Sequence, residues 1–289
     1  MLDDLPLVEC HREATALSYW RALADVHTSA PSTAVAARQR SWDKAIITAT
    51  QDTINSCLPE PREQARLLAV RSRGASAWLN ALPITSLGLR LSDEDVRVAA
   101  GLRLGTRLCH PHACRCGVHV DDRGIHGLSC AQSAGRHVRH SLINKIIHSV
   151  LVASNLPSAL EPRGMLRSDD KRPDGLSLVP WNAGRCLVWD ATILDTLAAS
   201  HVGACSRRVA AAATKASKRV KYEGIANSHT FIPVALETFG SYGEAARRFV
   251  VELGRLWALA TDDPLAAAKL RQRLSVAIQR GNAICVKGT

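Results

Sequence analysis

Two apolar β-patterned segments, 174–180 and 185–194, flank the turn-forming run Asn182-Ala183-Gly184, and this hairpin constrains the chain more than any other feature. Alternating strands joined by a short glycine-containing turn pair as antiparallel neighbours. Each strand then delivers one aspartate: Asp174 within Arg172-Pro173-Asp174-Gly175, and Asp190 within Leu187-Val188-Trp189-Asp190. Hard divalent ions such as Mg²⁺ take oxygen ligands, usually one or two carboxylates completed by water and substrate phosphate. Asp174 and Asp190 are therefore candidate Mg²⁺ ligands, in a pattern suited to phosphodiester cleavage.

The elements around the hairpin predict a mixed α+β or α/β arrangement. A helix near 134–154, with Leu142, Ile146, Val150 and Leu151 as its apolar stripe, precedes a short strand at 158–161. After the hairpin come a long helix near 200–222, a strand at 230–237 and helices near 242–260 and 263–280, the last opened by Asp262-Asp263-Pro264. Residues 1–105 read as a helical module, with Pro61 suited to a first helical turn and Ser92-Asp93-Glu94-Asp95 opening a helix near 93–104. Trp20, Trp42 and Trp78 are expected to be core or interface anchors.

Between these parts, at 106–132, lies a cysteine-rich segment. Four of the nine cysteines fall between 109 and 130 and the others are scattered, which fits a metal cluster better than a disulfide framework. Cys114, Cys116, His126 and Cys130 supply three thiolates and one imidazole for a tetrahedral structural Zn²⁺, and Gly117, Gly124 and Gly127 permit the tight turns of such a knuckle. Cys109, His110 and His112 are close enough in sequence to replace one of the four. Val120-Asp121-Asp122 reads as a turn between the ligands.

The formal charge of +11 points to a polyanionic partner, because basic side chains set against phosphates release condensed counterions. Arg207, Arg208, Lys215, Lys218, Arg219 and Lys221 concentrate that charge within 207–222, where no acidic residue occurs. Acidic residues at Asp3, Asp4 and Glu9 interrupt any secretory leader, and no segment reads as a membrane span. A nuclear or otherwise intracellular protein is expected.

Together the α-β-β-β-α-β order from 133 onward, the Pro-Asp dipeptide and the second acid on the next strand resemble the PD-(D/E)XK, restriction-endonuclease-like fold. More narrowly, the Cys/His knuckle, Arg139-His140-Ser141-Leu142-Ile143-Asn144, Arg172-Pro173-Asp174, Asp190 and Lys218-Arg219-Val220-Lys221-Tyr222 resemble the C-terminal endonuclease region of site-specific non-LTR retrotransposon proteins. The resemblance covers about residues 80–260. It implies a nuclease domain at 133–289 that nicks target DNA for integration, with element RNA as a further ligand and a reverse transcriptase module supplied elsewhere.

The resemblance also assigns roles. Asp174 and Asp190 would hold the catalytic Mg²⁺. Thr192 stands where the simplest form of the motif has its lysine, and Lys218 matches the lysine that this family carries on the following helix. Lys221 and Tyr222 would share its helical face, and either lysine fits the catalytic role. Glu161, at the end of the preceding strand, is a candidate third ligand or a carboxylate orienting a metal water, the alternative being a cap or surface charge beside Pro162. Arg136, Arg139, His140, Asn144 and Arg172 are candidate nucleic-acid contacts. Two other readings remain open: a zinc-containing nucleic-acid binder without cleavage, and a structure-selective resolvase.

Overall fold

The computed structural model describes residues 17–24, 39–58, 60–163, 165, 172–198, 202 and 228–289. The chain divides into two units, 1–60 and 61–289. In the first, Trp20 donates from Nε1 to the Trp42 carbonyl at 2.9 Å, and the two rings meet edge to face with centroids 5.3 Å apart. Trp42 belongs to helix α1 (Gln39–Cys57).

The second unit mixes helices and sheet. Helices α2 (Pro61–Arg71) and α3 (Asp93–Leu104) come first, and α2 begins at the expected proline. Ser92 caps α3 as its sequence requires: its hydroxyl accepts the Asp95 N–H at 3.2 Å and Asp95 accepts the Ser92 N–H at 3.3 Å. A two-stranded hairpin, β1 (His112–Ala113) with β2 (His119–Val120), leads through a 3-10 turn at Ile125–Leu128 into α4 (Ala134–Ala153). Then follow β3 (Ser158–Leu160), β4 (Gly175–Asn182), β5 (Arg185–Leu194), β6 (Thr230–Glu237), α5 (Glu244–Thr261) and α6 (Ala266–Lys287).

β3 to β6 form one mixed sheet in chain order, antiparallel across β3–β4–β5 and parallel across β5–β6. Strand alternation gives the sheet two faces. Leu187, Trp189 and Ala191 of β5, with Val234 and Leu236 of β6, pack against Ile143, Ile147, Val150 and Leu151 of α4 and the apolar sides of α5 and α6. Val188, Asp190 and Thr192 alternate onto the opposite face. The predicted helix at 200–222 lies outside the described residues.

Helix α6 is the spine of this unit. Leu270, Leu274, Ala277 and Ile278 enter the sheet core, Val276 packs with Trp78, Leu89 and Ala99, and Ala283, Cys285 and Val286 meet Val98, Leu102, Ile125 and Leu128. The helices of 61–104 and the cysteine segment thus share cores with the C-terminal helix, across the boundaries the sequence placed at 105 and 132. Trp78 is a core anchor, as expected.

Val150 and Leu151 of α4 are buried as expected, but the first half of the helix is turned by about one residue from its predicted stripe. Ile143 and Ile147 are fully buried, whereas Leu142 and Ile146 only flank the core, because α4 packs on α6 as well as on the sheet. That rotation moves Arg139 inward. Its Nη1 donates to Asn282 Oδ1 at 2.7 Å and its Nη2 to the Leu128 carbonyl at 3.2 Å, and a Cβ on Gly281 would fall 2.5 Å from its own. Burial lowers its pKa. The nucleic-acid contact expected of Arg139 is therefore corrected: at 2% exposure its guanidinium joins α4 to α6 and to the end of the knuckle.

Candidate functional site

Two clusters of ionisable side chains stand out, and the first is the knuckle. β1 and β2 carry the turn that holds Cys114 and Cys116, with the Cys114 N–H donating to the Val118 carbonyl at 2.9 Å. The 3-10 turn at 125–128 brings His126 and Cys130 back, the Cys130 N–H donating to the His126 carbonyl at 3.0 Å. The four ligand atoms lie within 4.8 Å of one another, the one such group of three or more among the described residues.

The donor set fits zinc. Cys114 Sγ and Cys130 Sγ are 3.7 Å apart, and Cys116 Sγ is 3.1 Å from His126 Nε2. Tetrahedral zinc with arms of about 2.3 Å sets its sulfurs roughly 3.8 Å apart, far beyond a disulfide bond of about 2.05 Å. The Cys116 amide, followed by the neighbouring thiols and His126, brings the Cys114 thiol down to about 6 against the opposing effect of burial. Burial raises that of Cys130. Cys114 is thereby prepared to bind as thiolate.

The neighbours that competed for a ligand position are occupied otherwise. The Cys109 thiol donates to the Asp121 carbonyl at 3.3 Å. His112 has Nδ1 2.8 Å from the His110 carbonyl and Nε2 3.2 Å from Thr289 Oγ1. Asp121 and Asp122 form the expected turn, whose carbonyls accept the Gly124, Leu108 and Cys109 amides. A Cβ on Gly127 would fall 2.4 Å from the Cys285 carbonyl, so glycine is required for the knuckle to lie on α6.

The second cluster is the acidic pair. Gly175 pairs with Trp189 at the start of β4, and Asp174 precedes that strand by one residue, beside the part of β5 that carries Asp190. The Asp174 N–H donates to the Trp189 carbonyl at 3.1 Å, which holds the row in place. Glycine at 175 is forced by Trp189, whose ring would lie 2.0 Å from any Cβ there. The two carboxyls face each other within hydrogen-bonding reach. Asp190 is buried, and the Asp174 side chain is 12% exposed.

Burial raises the Asp174 pKa, but the hydrogen bond and charge of His140, the Ala191 amide and the Asp190 carboxyl outweigh it, so the group sits below the ordinary carboxylate range. His140 Nε2 lies 3.0 Å from Asp174 Oδ2, and the Ala191 N–H donates to the same oxygen. Asn144, one turn on from His140, accepts the Trp189 indole N–H at 3.1 Å and places its Nδ2 3.4 Å from the imidazole nitrogens. His140 and Asn144 thus border the acidic pair, an arrangement their sequence neighbours gave no sign of.

The other predicted residues are placed as follows. Arg136 is exposed on the α4 face that continues to His140 and Asn144, and Arg172 is exposed beside Pro173. Glu161 donates its backbone N–H to the Asp174 carbonyl at 3.0 Å, so its backbone adjoins the row, while its side chain is exposed. Lys218, Lys221 and Tyr222 lie outside the described residues.

No protein-family model and no curated protein matches the chain. Among the described residues no helix is long and apolar enough to cross a membrane.

Proposed function

We propose that the chain is a metal-dependent DNA endonuclease that nicks target DNA for retrotransposon integration, with a structural zinc in its knuckle. The observation that carries this reading is the convergence of Asp174, just before β4, with Asp190 on β5 in a protein of formal charge +11. Buried like charges are stable together when they share a proton or a cation. Two carboxylates in that state supply the oxygen donors Mg²⁺ takes from protein, so the residues present fit the ion.

Bound there, Mg²⁺ would supply Lewis-acid polarisation of the scissile phosphate. The chain's own residues would do the rest. Asp174 and Asp190 hold the ion, and Arg136 and Arg172 offer exposed charge to the DNA backbone on either side. The lysine that the resemblance implies, Lys218, would set a fixed cation against charge growing on the phosphate.

The test is nicking of supercoiled DNA in Mg²⁺ by the full chain and by Asp174→Ala. Nicking by the parent and at least a hundredfold loss in the variant are expected, with DNA retention by the zinc-replete protein in the absence of Mg²⁺ unchanged. Equal nicking by both would overturn the assignment of Asp174. Retention without nicking by either would favour the binding module that Thr192, standing at the lysine position of the simplest motif, suggests. Preference for four-way junctions would favour a resolvase.

A further inference from the structure

His140 belongs by sequence with the nucleic-acid contacts, yet its imidazole turns toward Asp174. Two donors meet at one carboxylate oxygen: His140 Nε2 at 3.0 Å and the Ala191 amide both serve Asp174 Oδ2. A carboxylate oxygen accepts about two such bonds, so these two donors fill Oδ2. The donors also come from different elements, α4 and β5, and therefore fix the orientation of the carboxylate as well as its charge.

The imidazole is itself held. Trp189, fully buried, donates its indole N–H to Asn144 Oδ1, which turns the Asn144 amide nitrogen toward the His140 ring. That amide nitrogen lies 3.4 Å from both ring nitrogens, so it rests against the imidazole whose Nε2 meets Asp174. Ligating carboxylates hydrogen-bonded in this way hold metal more tightly, and loss of such a partner typically weakens binding by about ten- to a hundredfold.

We propose that His140, set by Asn144 and Trp189, is a positioning residue that fixes Asp174 for a divalent cation and not a DNA contact; this rests on the nuclease reading of Asp174 and Asp190. The nearby arginines divide the work differently. Arg136, one turn before His140 on the same face, remains the solvent-facing charge for phosphate, and His140 marks where that face turns from substrate contact to support of the acidic pair.

The test titrates Mn²⁺, as the probe ion, into the zinc-replete full chain and reads free Mn²⁺ by electron paramagnetic resonance, with Asp174→Asn to identify the site. His140→Ala and the ring-retaining His140→Phe are expected to weaken the Asp174-dependent site by about ten- to a hundredfold. His140→Gln, which keeps an N–H at similar reach, should recover most of that loss. DNA affinity of the zinc-replete protein, measured without added Mn²⁺ or Mg²⁺, should stay within about twofold of the parent in all three, whereas Arg136→Ala lowers it. Unchanged Mn²⁺ affinity with reduced DNA affinity in His140→Ala overturns the inference and returns His140 to the contacts. Failure of His140→Gln to recover binding overturns it too. Should His140→Ala fail to fold, the Phe and Gln variants carry the comparison. The two failures stay distinct: Asp174-dependent Mn²⁺ binding without nicking sinks the nuclease reading alone, while absence of that binding sinks the positioning role whatever the nicking shows.

Discussion

The knuckle and the acidic pair are both convergences of ionisable side chains, built by opposite means. The knuckle draws its four ligands from 114–130, over short turns, and closes on itself. The acidic pair joins the residue just before β4 to one on β5, takes a partner from α4, and leaves the His140 side chain 41% exposed at its edge. A closed thiolate site puts the free energy of metal binding into folding. An open carboxylate pair does the reverse, because two acids brought together out of water repel until something positive joins them. One cluster should therefore stabilise the fold and the other should cost it stability in exchange for a binding site.

The sharpest way to break that contrast is at the knuckle. Cys130→Ser should abolish stoichiometric zinc and lower stability by several kcal/mol, read by metal analysis and thermal unfolding. A variant as stable as its parent would remove the structural role of the metal. Next in size is the residue that ties the two regions together. Arg139→Ala leaves Asn282 Oδ1 and the Leu128 carbonyl without their charged donor, and should cost about 3 kcal/mol in denaturant unfolding. DNA affinity of the folded fraction should not change. A loss of DNA affinity without destabilisation would restore the contact role that burial denies it.

The smallest effect carries the opposite sign. Asp190→Asn keeps a hydrogen-bonding group of the same shape beside Asp174 and removes one buried charge. It should raise stability by about 1 kcal/mol when no divalent ion is present. Added Mn²⁺ should then stabilise the parent by ligand linkage and the variant hardly at all. Destabilisation by Asp190→Asn in the absence of metal would show that the acidic pair is structural support.

The sequence made some of this legible and concealed the rest for physical reasons. Strand alternation with its turn located β4 and β5, and the Ser92 cap located the start of α3, because those signals act over a few residues. The four candidate metal ligands were legible as a set, but only the geometry set them apart from Cys109, His110 and His112, any of which the sequence allowed to replace one of them. The inward turn of Arg139 was hidden because an arginine on an amphipathic helix ordinarily faces water. Here Gly281 makes room for it and Asn282 receives it, 142 and 143 residues away in the chain. The sequence offered one signal in retrospect: Gly281-Asn282, a small residue beside a polar one, directly before the apolar run Ala283-Ile284-Cys285-Val286.

The amino-acid order alone determined the grouping of the knuckle's four donors and put one aspartate just before β4 and the other within β5, since turn geometry, thiolate spacing and strand period are local properties. Tertiary packing decided what those aspartates meet. The rotation of α4 on α6 brought His140 and Asn144 to the acidic pair and took Arg139 away from solvent, because a helix buried on two sides takes its orientation from the surfaces it packs against. No periodicity in its own twenty residues fixes that choice.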